Sequence, residues 1–123
     1  MSEFHEDGLS EEAKEFHRMI KSVIEELEAV DWYNQRADVT TDPDLKAIVE
    51  HNRDEEVEHA CMGLEWLRRK NPVFNEMLET FLFRGNIPIT EIEETIEGGE
   101  DGEEAQASSS DGSLGLGSMR GGN

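Results

Sequence analysis

The stretch HNRDEEVEHACMGLEWLRR, from His51 to Arg69, decides the fold. It contains no proline and a single glycine, Gly63, and its apolar residues recur at helical spacing. With His59 as origin and about 100° per residue, Ile48 and Trp66 fall within about 20° of it, Leu45 and Gly63 within about 40°, Glu56 at about 60°, and Val49 and Leu67 at about 80°. Glu56 and His59 therefore stand inside the apolar stripe. A carboxylate in that position needs a partner or its pKa rises. The two residues are three apart, so they project from one face. A bound cation suits both a carboxylate and an imidazole. A Glu–His pair satisfied by an arginine or by the backbone fits the motif as well.

The helix extends outward from this segment. Asp42 offers an N-cap, Pro43 suits the first helical position, and Arg68, Arg69 and Lys70 fill a last turn that favours cations. Asn71-Pro72 breaks the helix. Upstream, Ser10 caps a first helix that runs to about Asp38, with Phe16, Met19, Ile20, Val23, Leu27 and Val30 on one stripe. Glu26 and Tyr33 border that stripe. Glu25 and Glu28 point elsewhere, toward solvent or another subunit. The connection near residues 39–42 is short, so the two long helices, each about 40–45 Å, form an antiparallel hairpin. A shorter third helix is predicted near Val73–Phe83, ended by Gly85, and residues 87–97 read as a brief turn or strand.

Composition sets the limits. The chain has 123 residues, 30 of them acidic and 11 basic, for a formal net charge of −19. Nucleic acid and anionic membranes, which call for basic surfaces, are poor partners. No apolar run approaches the ~18 residues of a membrane span. The N-terminus lacks the pattern of a signal peptide. One cysteine, Cys61, makes no internal disulfide, which points to a reduced, intracellular setting. Apolar residues make up 35% of the chain, too few for a generous core. Nine of the 11 glycines and nine of the 30 acidic residues fall in residues 85–123. The organisation read from this is a disordered lead at 1–8, a helical domain at 9–84, a flexible acidic linker at 85–112 and a short apolar-tipped peptide at 113–123.

Two long helices are half of a four-helix bundle. Carboxylate-bridged di-iron sites inside such bundles take two Glu-x-x-His motifs and two further glutamates. This chain has one such motif and Glu26 on the neighbouring helix. Helices and ligands come out half-complete together, and a symmetric dimer completes both.

With these residues placed, the chain resembles the encapsulated ferritins, ferritin-like cargo proteins of encapsulin nanocompartments. The resemblance is carried by EELEAVDWYNQR (Glu25 to Arg36), by the His51–Arg69 stretch, and by the tail GSLGLGSMR (Gly112 to Arg120). It implies an all-α fold: a helical hairpin plus a short C-terminal helix, completing a ferritin-like four-helix bundle by dimerisation, with a disordered acidic C-terminal tail. It implies a ferroxidase that oxidises Fe(II) to Fe(III) at a di-iron centre across the dimer interface. Glu26, Glu56 and His59 from both subunits match the ligands, and Tyr33 matches the tyrosine beside the centre. Glu25 and Glu28, with Trp32 nearby, match an acidic site that gathers metal beforehand. Ser113–Arg120 looks like the peptide that docks cargo in an encapsulin shell. Dimers assembled as a decameric ring, within a cytoplasmic nanocompartment that stores the iron mineral, complete the implied picture. Two other functions fit the same helices: a non-catalytic metal-binding scaffold, and a di-iron peroxidase of the rubrerythrin kind.

Overall fold

The computed structural model describes residues 4–99, and these contain four α-helices and no strand. They are α1 (Glu11–Val39), α2 (Pro43–Lys70), α3 (Pro72–Phe81) and α4 (Ile89–Gly99). The described residues divide into two compact units between Glu76 and Met77.

In the first unit, local chemistry sets the helix ends. The Ser10 hydroxyl accepts from the Ala13 N–H at 3.0 Å, and Glu11 and Glu12 follow where the helix dipole favours anions. Asp42 does the same for α2, accepting from the Asp44 N–H at 3.0 Å ahead of Pro43. Asn71 ends α2 and starts α3. Its N–H donates to the Leu67 carbonyl, while its side-chain oxygen accepts from the Phe74 N–H at 2.9 Å. Beside it, the Glu65 carboxylate takes two hydrogen bonds from Arg68 at 2.8 Å and one from Arg69 at 2.7 Å, and Arg68 also donates to Asn75 on α3. The Phe16 and Phe74 rings meet edge to face, 6.0 Å between centroids.

Two contacts give the pairing of α1 with α2. Arg53 donates to the Asn34 side-chain oxygen at 3.0 Å. Farther along α2, Gly63 faces Val23 and Met19 of α1. Residue numbers rise on one helix as they fall on the other, so the two run in opposite directions. A Cβ at Gly63 would lie 2.5 Å from Val23 Cγ2 and 3.1 Å from Met19 Sδ, so the helices approach closely there. Val23, Ala37, Val49, Ala60 and Leu67 are buried, whereas Ile24, Leu27, Leu45, Ile48, Val57 and Met62 are exposed. Phe4, in the segment expected to be a disordered lead, lies edge to face against His17 at 4.9 Å.

The second unit departs from the sequence reading. α3 stops at Phe81 rather than Phe83, and Phe83, not Gly85, takes the left-handed backbone, with φ 63° and a fully exposed ring. Residues 89–99, read as a turn or strand inside a flexible linker, form helix α4. The reason is legible in retrospect. Ile89, Ile92 and Ile96 stand at i, i+3 and i+7, and the Pro88 carbonyl accepts from the Glu91 and Ile92 N–H groups. Ile92 is buried, at 1% exposure. The remainder of the linker reading, from residue 100, and the peptide at 113–123 lie outside the described residues.

Candidate metal centre

Opposed helices bring together residues 30 positions apart in the chain. Glu26 comes from the middle of α1, and Glu56 and His59 come from one face of α2. Each offers a ligand atom, and these atoms all lie within 4.8 Å of one another. Among the described residues this is the one such group of three. His59 Nδ1 is 3.5 Å from Glu56 Oε1. Glu26 and Glu56 are half-buried, and His59 is exposed, with 46% of its side chain open.

The decisive atom is Glu26 Oε1. It is buried and accepts no hydrogen bond from any described residue. Buried polar atoms are nearly always satisfied, and a carboxylate oxygen left without a donor costs free energy. A cation beside Glu56 and His59 would supply the missing partner. Two carboxylates and an imidazole suit iron and also zinc, cobalt or manganese. The residues present fit a metal ion.

The other candidates are placed less closely. Tyr33 is half-buried, with the Arg36 guanidinium 5.3 Å from its ring centroid. Glu25 and Glu28 are exposed, and Trp32 is 55% exposed. Among the described residues, no third ligand gathers around Glu25 and Glu28. Cys61 is exposed and free, off the ligand group. The reading from sequence passed over the Arg53–Asn34 tie, since nothing in the spacing of two polar residues 19 apart distinguishes them from solvated ones. No helix among the described residues is long and apolar enough to cross a membrane.

The family described as EncFtn-like matches residues 2–85. The chain belongs to the EncFtn-like family. A relative from Rhodospirillum rubrum named encapsulated ferritin-like protein is 54% identical over 117 residues, covering 92% of this chain and 83% of that one. A ferritin-like protein from Thermotoga maritima is 50% identical over 99 residues, covering 79% of this chain and 86% of its own. An encapsulin nanocompartment cargo protein, EncC, from Myxococcus xanthus is 42% identical over 59 residues, covering 47% and 45%. Among solved structures, protein ne0167 from Nitrosomonas europaea superposes with a TM-score of 0.68 at 52% identity, covering 72% of this chain and 98% of that one. All of α1, α2 and α3 lies inside the EncFtn-like match, together with Glu26, Glu56 and His59.

Proposed function

We propose that this protein is a ferroxidase whose di-iron centre forms where two copies meet. The observation that carries this reading is the unpartnered, buried oxygen of Glu26 within 4.8 Å reach of Glu56 and His59. One chain supplies half the ligands of a carboxylate-bridged di-iron site. A two-fold axis supplies the other half, and the exposed Ile24, Leu27, Ile48, Val57 and Met62 offer apolar surface for such a contact.

Iron is the substrate. Two Fe(II) ions held together each give up one electron, and the pair passes to an oxidant such as O₂, which takes two protons to become hydrogen peroxide. Glu26, Glu56 and their symmetry mates supply negative charge that favours Fe(III) over Fe(II). Tyr33 is assigned the role of the tyrosine beside the centre through its match to the encapsulated-ferritin pattern. The exposed Glu25 and Glu28, with Trp32, collect Fe(II) from solvent and raise its local concentration. Residues Ser113–Arg120 dock the protein inside an encapsulin shell in the cytoplasm, which holds the mineral that a decameric ring of dimers has no cage to store. Similarity to relatives named encapsulated ferritin-like protein and encapsulin cargo protein supports the shell as partner.

The test is to titrate Fe(II) anaerobically into the metal-free protein, admit O₂, and follow oxidation and oligomer mass on the same samples. Fast oxidation saturating near about one iron per chain, in a dimer or larger assembly, is the expected result. Background oxidation with no iron held at Glu56 and His59 would leave a scaffold. A preference for hydrogen peroxide over O₂ would move the reading to a rubrerythrin-like peroxidase.

A further inference from the structure

The ligand group spans α1 and α2, and Gly63 stands at a close approach of the two helices. Gly63 lies four residues after His59 on α2, and Val23 lies three before Glu26 on α1. In opposed helices these offsets run the same way, so the Gly63–Val23 contact sits about one turn, 5–6 Å, from Glu26 and His59, and about two turns along α2 from Glu56. A Cβ at position 63 would stand 2.5 Å from Val23 Cγ2. Ordinary carbon contacts are about 3.5–4.0 Å, so a methyl there demands about 1 Å of movement.

The neighbours respond differently to that demand. Met19, whose Sδ is 3.1 Å away, has three rotatable bonds and can swing aside. Val23 is buried, at 7% exposure, and a β-branched side chain in a helix is held almost entirely in one rotamer. It cannot turn away, so the helices must part. Metal–ligand bonds tolerate about 0.2 Å, far less than this displacement.

We infer that Gly63 is a positioning residue for the metal centre: the absent side chain lets α1 and α2 close to the separation at which Glu26 meets Glu56 and His59. This rests on the reading of those three residues as ligands. Gly63 touches no metal and acts through Val23. Glycine in mid-helix is less favourable than alanine, so helix formation alone does not explain its presence.

The experiment titrates Co(II), followed by its visible absorption, into the full chain and its variants, with helix content read by circular dichroism. Gly63→Ala should keep its helices and bind Co(II) about 10- to 100-fold more weakly. Val23→Ala/Gly63→Ala, which removes the obstructing methyls, should recover wild-type affinity within about threefold. Met19→Ala/Gly63→Ala should not recover it. Should Gly63→Ala lose its helices, the Val23→Ala/Gly63→Ala variant decides alone, by binding within that range or failing to. Wild-type affinity in a folded Gly63→Ala, or no recovery in the Val23 double variant, overturns the inference while the metal site stands. A wild-type protein whose Co(II) spectrum is indifferent to Glu56→Ala would instead sink the ligand reading, and this inference with it.

Discussion

His59 Nδ1 stands 3.5 Å from Glu56 Oε1, one turn away on the same face of α2. That is beyond the 2.7–3.2 Å range of an N–H···O hydrogen bond. The helix itself holds the two groups side by side, within ion-pair reach when the imidazole is protonated. Across the gap, Glu26 presents a buried oxygen that accepts no hydrogen bond from any described residue.

Replacing Glu26 should therefore separate stability from function. Glu26→Met removes a buried oxygen that has no donor and keeps similar volume. The metal-free protein should gain about 1 kcal/mol, measured by urea unfolding in the presence of a chelator. The same variant should lose the rise in melting temperature that Co(II) or Zn(II) gives the wild type. A metal-free variant less stable than wild type would mean that Glu26 is satisfied by a group other than a cation.

Acid should undo the α2–α3 junction in a definable window. Hydrogen bonds from Arg68, then from Arg69, lower the Glu65 pKa from 4.5 to about 2. A carboxyl depressed in the fold contributes stability above its unfolded value and loses it as the pH falls through the folded one. The difference in urea midpoint between wild type and Glu65→Gln should be full at neutral pH. It should shrink between about pH 4.5 and about pH 2. A difference constant across that range would show that Glu65 acts by shape alone.

Asn71 serves two helices, so a small truncation there has a measurable cost. Asn71→Ala removes the acceptor for the Phe74 N–H at the start of α3. Loss of such a cap costs about 1 kcal/mol. Asn71→Ser or Asn71→Asp should restore most of it, because each returns an oxygen to the same place. Metal affinity should stay unchanged, since the ligands lie several turns away. Equal stability for Asn71→Ala and wild type in thermal unfolding would count against the cap.

Deleting residues 113–123 should leave Fe(II) oxidation by the isolated protein intact. It should also abolish co-purification with a co-expressed encapsulin shell. Loading that persists after the deletion would assign docking to another surface.

What the sequence disclosed, and what it withheld, follow from the range of each physical rule. The ends of α1 and α2 were legible because caps, prolines and charges act within one turn: Ser10, Asp42-Pro43 and Asn71-Pro72 all stand where the helices begin or stop. The grouping of Glu26 with Glu56 and His59 was legible because two opposed helices leave little freedom in which faces meet. How deeply that face is covered was not. His59 stands in the apolar stripe on a helical projection and yet is 46% exposed, because α1 packs over only one side of α2. Helix α4 was hidden by its own composition. Its glutamates and Gly98-Gly99 resemble the acidic, glycine-rich stretch that follows, and three isoleucines at helical spacing carried too little weight. The stop at Phe81 was misplaced because a left-handed residue is usually glycine, and here Phe83 takes that role.

Among the described residues the buried apolar ones number six, Val23, Ala37, Val49, Ala60, Leu67 and Ile92, and two of them are alanines. Such a thin interior has a bearing on cellular quality control. In general, a marginally stable chain is exposed to proteases in proportion to how often it opens, and burial in an assembly lowers that exposure. If the proposed two-copy centre forms, turnover becomes a proofreading step: copies without a mate are cleared first, and the surviving population is enriched in complete centres.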